Sequence, residues 1–127
     1  MGMGTNTKMG IIVLGHGSKA PQALETLRRY GEMVKVKSRC EIVEVASLQF
    51  NKPDLPEALD RVIIMGAKKV VIVPFFLYNG VHMQEDIPAV IAMEKVKNPD
   101  VEIVLANHLG ADHRLVEIVL DRIEEVS

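Results

Sequence analysis

IIVLGHGSKAP, residues 11–21, is the stretch whose reading decides the fold. Residues 11–14 are an apolar run rich in Ile and Val with no polar alternation, the mark of a strand buried on both faces. Gly15 and Gly17 then break the run around an ionisable imidazole, His16. Pro21 opens a segment in which Ala23, Leu24, Leu27, Tyr30 and Val34 recur at helical spacing, and its missing N–H costs nothing at a helix start. A two-sided strand passing through a glycine turn into an amphipathic helix is the first half of a β-α-β unit. A turn needs glycine but does not need histidine, so position 16 is the first candidate for function.

Working outward, the same alternation recurs. Residues 42–46, 70–75 and 101–105 are short Val/Ile-rich runs and predict three further strands. Between and after them lie helical patterns carried by Leu55, Ala58, Leu59, Val62 and Ile63, by Ile87, Val90, Ile91 and Met93, and by Leu115, Ile118, Val119 and Ile123. Pro56 marks the start of the second helix and Gly66 its end. KNPD at 97–100 ends the third helix, and Asp112 is placed to cap the fourth. Such alternation predicts an α/β fold: a four-stranded parallel sheet with helices on both faces, joined by right-handed crossovers, in the flavodoxin-like order 2-1-3-4. One domain over residues 9–127 is expected, with residues 1–8 as a flexible tail.

Composition narrows the partners. The chain has 127 residues and a formal net charge of −2, so no broad basic face recommends nucleic acid. Its single cysteine, Cys40, excludes an internal disulfide and fits a reducing cytoplasm, the location expected here. The longest apolar run, residues 70–78, is less than half the ~20 residues of a bilayer-spanning helix, and no membrane association is expected. The opening MGMGTNTK lacks the pattern of a signal peptide.

Ligands of parallel α/β sheets bind beyond the carboxyl ends of the strands, where strand order reverses. In the order 2-1-3-4 that place lies between the first and third strands. His16 follows the first, and His82, in YNGVHMQEDIP, follows the third, so the two imidazoles are expected on either side of one crevice. Two imidazoles there suit a divalent metal in transit, because a structural zinc would want four closed ligands. Glu85 and Asp86 follow His82 by three and four residues and are placed to orient its ring or take a proton, if the third helix begins there. Asp86 could equally be a helix N-terminal charge and Glu85 a solvated residue. GHGSK offers backbone N–H groups to an anion, but it matches neither nucleotide-loop spacing. Ser18 is outside any G-x-S-x-G elbow and reads as a cap of the first helix or a donor to a ligand carboxylate. His108 shares the rim one strand further out. His113 reads as solvated.

VLGHGSKAP, VVIVPFFLYNGVHMQEDIP and NHLGADHRLVEIVLDRI resemble the short form of the CbiX-type sirohydrochlorin chelatases, class II chelatases that insert cobalt or a related divalent metal into a tetrapyrrole. The likeness runs from about residue 9 to the end, and G-x-H-x-x-x-D-I-P is its most specific part. It implies that His16 and His82 are the metal-handling pair, and it places the family's Asp-Ile-Pro on Asp86, Ile87 and Pro88. It also implies a homodimer, since longer relatives look like two such halves fused. One departure stands out: where many relatives carry a Glu before a proline, SLQFNKP has the neutral Gln49.

The resemblance therefore implies insertion of a divalent metal, cobalt first and nickel or iron as alternatives, into sirohydrochlorin. His16, His82 and Glu85 would handle metal and protons, and no permanently bound cofactor is expected. The substrate's carboxylates would meet the main chain at Gly17 and Ser18, with Lys19, Lys52 and Asp86 nearby. A metal carrier or tetrapyrrole-binding module without turnover, and a phosphate or flavin binder using GHGSK, are the rival readings. The lack of Trp argues mildly against flavin stacking.

Overall fold

The computed structural model describes residues 8–78 and 80–127, with the side chains of His82, Met83 and Gln84 outside that description. Strand β1 (Met9–Gly15) leads to helix α1 (Pro21–Ser38). The chain continues as β2 (Ile42–Ser47), α2 (Leu55–Ile64), β3 (Lys69–Pro74), α3 (Val81–Lys97), β4 (Glu102–Leu105) and α4 (His113–Glu125). The four strands form one parallel sheet in the order β2-β1-β3-β4, as the sequence predicts. Val13 of β1 stands beside Val45 of β2 and Val73 of β3, which fixes the central register.

The two faces of β1 sort the core by parity. Ile12 and Leu14 point to one side and pack with Leu59 and Val62 of α2 and Ile87 and Ile91 of α3. Ile11 and Val13 point to the other and pack with Leu27 and Val34 of α1. Alternate residues of a strand face opposite ways, so an unbroken apolar run is what a sheet covered on both sides requires. Burial of each such leucine or isoleucine contributes ~1.5–3 kcal/mol. Gly31 brings α1 close to β2, because a β-carbon there would stand 2.7 Å from Val45 Cγ1.

The helix signals hold with two corrections. Asp54 caps α2 in a reciprocal capping box with Glu57, and Asp112 caps α4 through the Arg114 N–H. The N-cap of α1 is Ala20, not Ser18; the Ser18 hydroxyl oxygen instead accepts from the Ala20 N–H before the helix begins. Helix α3 begins at Val81, after Gly80, rather than near Glu85. Asp86 is therefore beyond the first turn and is not a helix N-terminal charge. The last helix differs in kind from the rest: among the described residues α4 packs closely on no other element and has no buried residue, although Val116, Ile118, Val119, Leu120 and Ile123 are apolar. Among the described residues no helix is long and apolar enough to cross a membrane.

Candidate functional site

Strand order reverses between β1 and β3, and their carboxyl ends carry the loops that build the site. His16 is the first residue past β1. Its ring lies against that of Phe76, just past β3, with centroids 4.1 Å apart and planes inclined by 40°. Phe76 is buried, so one side of the imidazole rests on a fixed apolar wall while the residue as a whole stays exposed. The contact joins the loops after β1 and β3, as the topology requires. The Phe76 carbonyl also accepts from the Leu109 N–H at 2.9 Å, which brings the loop bearing half-buried His108 to the same rim.

The loop after β2 locks His16 from the other side. Leu48 N–H donates to the Gly15 carbonyl at 3.0 Å and Gln49 N–H to the His16 carbonyl at 3.2 Å. Ser18 N–H donates to Asn51 Oδ1 at 3.0 Å. Gly17 lies between these bonds at φ 89°, where a β-carbon would run into the Gln49 carbonyl oxygen. The Ser18 amide is thus already used within the protein, which weakens the reading of GHGSK as an anion cradle.

A hollow of about 520 Å³ opens beside His16, lined on its far side by Asp86, Ile87 and Val90 of α3 and on its near side by Gln49 and Leu55. Asp54 also lines it, but its carboxylate is committed: it accepts from Glu57 N–H at 3.0 Å and pairs with Lys52. Those contacts, the Glu57 N–H first, hold the Asp54 carboxyl below its ordinary value. Lys52 pairs with both Asp54 and Glu57 at 3.4 Å, so its charge is largely answered by the protein itself. Lys19 is exposed, with its ammonium 5.2 Å from the centre of the Phe50 ring.

Of the residues singled out in the sequence, His16, Asp86 and Gln49 come together around this hollow. Gly17 and Ser18 line a neighbouring one of about 380 Å³ that also reaches His16. His82 stands in the first turn of α3, and its side chain lies outside the described residues. Glu85 is exposed on α3 and is not part of the hollow's lining, and His113 is exposed at the start of α4. Among the described residues no three His, Cys, Asp or Glu side chains are grouped to hold an ion. Phe76 and Asn51 were not visible as site residues: an aromatic in the run 70–78 reads as core, and nothing local marks Asn51 as the partner of a distant amide.

The family model described as CbiX matches residues 10–126. The chain belongs to the CbiX family. Among its relatives, a sirohydrochlorin cobaltochelatase of Methanococcus aeolicus is 36% identical over 136 residues, covering 88% of this chain and 95% of the relative. One of Methanocaldococcus jannaschii is 33% identical at the same coverage. The structure resembles a cobalamin (vitamin B12) biosynthesis CbiX protein from Marinobacter aquaeolei, with a TM-score of 0.74 and 29% identity over 92% of this chain and 95% of that one. It also resembles the sirohydrochlorin chelatase SirB of Bacillus subtilis in complex with cobalt, with a TM-score of 0.86 and 25% identity. That match covers 94% of this CbiX-family chain and 51% of SirB, so the fold corresponds to about half of the longer protein.

Proposed function

We infer that this chain is a sirohydrochlorin chelatase that inserts a divalent metal, cobalt first, into the macrocycle. The observation that carries the reading is the hollow opening at His16 where strand order reverses, in a chain whose relatives share that named activity over nearly their whole length. Insertion exchanges two pyrrole N–H protons for one ion. The site must deliver a partly dehydrated metal, hold the ring and accept protons. Imidazoles with an ordinary pKa near ~6.5 can do both jobs at neutral pH, binding the ion when neutral and taking up a proton when released. His16 and His82 are the pair assigned to the metal and, in turn, to the protons. Cobalt, nickel and iron all suit imidazole, so the donor set does not choose among them.

Gln49 lines the hollow and is neutral, so either the two histidines suffice for proton uptake or a carboxylate from elsewhere assists them. Glu85, exposed on α3 and outside the hollow's lining, is the carboxylate assigned to that assisting role. Asp86 is assigned a substrate contact, supported by its place in the lining. Gly17, Ser18 through its hydroxyl hydrogen, and Lys19 are the remaining substrate contacts, with Lys19 the nearby cation whose charge best complements the ring's carboxylates. A homodimer is the working unit, and the exposed apolar face of α4 supports this.

The test is anaerobic absorbance of sirohydrochlorin with Co²⁺, Ni²⁺ and Fe²⁺, with and without protein, beside His16→Ala and His82→Ala. Metal-dependent conversion above the uncatalysed rate, lost in both variants, is expected. Binding of the ring without acceleration would leave a carrier in place of an enzyme.

A further inference from the structure

Phe50 is an aromatic residue in the wrong place for stability. It is 60% exposed, although a phenyl ring buried in a core would contribute several times more. Its backbone has φ 68°, the left-handed region that a bulky residue rarely adopts. The neighbouring main chain is tied in place: Leu48 and Gln49 bond back to Gly15 and His16, Asn51 N–H donates to the Gln49 carbonyl at 2.8 Å, and Asn51 Oδ1 accepts from Ser18. The ring is thus held outward by the same hydrogen bonds that fix His16. Residues on either side of it, Gln49 and Asn51, line the two hollows that meet at His16, so Phe50 stands on the ridge between them. Above the ring, at 5.2 Å, is the Lys19 ammonium.

A rigid, outward aromatic with a cation beside it, next to a metal-handling histidine, matches a ligand that is flat, aromatic and anionic at its edge. Resting on the chelatase reading above, we propose that Phe50 and Lys19 form a platform for the tetrapyrrole. The phenyl ring takes the macrocycle's face, and Lys19 takes a peripheral carboxylate, swinging from the phenyl ring as it does so. Strained residues gather where function outweighs stability, and the left-handed turn is what aims this ring away from the core. Phe50 then sets the height and tilt of the ring over His16 and acts as a specificity residue without taking part in proton or metal transfer.

The test uses the full chain without added metal, following the quenching of sirohydrochlorin fluorescence on binding. Phe50→Gly relieves the backbone and removes the ring, so it is expected to raise the melting temperature and to weaken binding by about tenfold. Phe50→Tyr keeps an aromatic face and is expected to bind as the parent does. Lys19→Gln should weaken binding and make it less sensitive to salt. Wild-type affinity in Phe50→Gly would overturn the platform while leaving the chelatase reading standing. A fall in melting temperature with unchanged affinity would make Phe50 structural, and conversion of a dimer to a monomer at equal affinity per chain would make it an interface residue; both overturn the proposal. Failure of the wild-type protein to quench at all would remove the chelatase reading, and the platform with it.

Discussion

At Gly17 the main chain turns with the Gln49 carbonyl oxygen standing where a β-carbon would go. Gly17→Ala must therefore both adopt a left-handed conformation and push two loops apart. It is expected to cost more than ~1–3 kcal/mol in urea unfolding and to lower chelation by moving His16, its neighbour. Asp54 gives a gentler case. Asp54→Ala removes one half of the α2 capping box and should cost ~1 kcal/mol. Its carboxyl lies below the ordinary value in the folded chain, so the unfolded chain holds more protons on it as pH drops. The stability it contributes is present above the unfolded carboxylate range and is lost as pH falls through the folded value. Unfolding followed downward from pH 7 should show that acid loss in the parent and less of it in Asp54→Asn. At this scale the sequence was informative where chemistry and local pattern disagreed. A histidine between glycines signals its own importance, whereas Phe76 could not be recognised because a buried phenylalanine after a strand agrees with everything around it.

Elements were more legible than their ends. A two-sided strand writes itself as an unbroken Ile/Val run, and four such runs with helical spacing between them leave few parallel topologies. Helix α3 starts ahead of Glu85, at Val81 after Gly80, and Pro88 sits inside it. That proline leaves the carbonyl one turn earlier without its helical donor, close to the candidate site. At its other end α3 holds Glu94, almost fully buried, facing Asp60 of α2 with Lys97 and Asn98 as partners. Burial first, and Asp60 second, push the Glu94 carboxyl upward against the pull of Lys97. The folded chain then holds more protons on it than the unfolded chain does, so stability falls as pH rises from about 4.5 through the folded value. Glu94→Gln should flatten that part of the stability–pH curve, and urea midpoints measured between pH 4 and pH 8 will show it. An identical slope in the variant would mean that Lys97 keeps Glu94 charged throughout.

On the scale of the whole molecule, α4 is the element whose surroundings the sequence did not disclose. Its periodicity says that one face must be covered but does not say by what. Among the described residues nothing covers it: five large apolar side chains of a 13-residue helix face solvent. A helix that short is marginal in water on its own, so a surface covering that face would stabilise it. This chain matches about half of SirB, and on the homodimer reading a second copy is the cover proposed for α4. The homodimer reading therefore makes a coupled prediction for Val119→Asp combined with Ile123→Asp. The apparent mass in solution should fall from two chains to one, and helix content should drop by roughly one short helix. The melting temperature should lose its dependence on protein concentration, because only an assembly is stabilised by mass action. If the dimer is the working unit, chelation should fall with the mass. A parent protein that is already monomeric and fully active would end the homodimer reading and leave α4 to find its cover elsewhere.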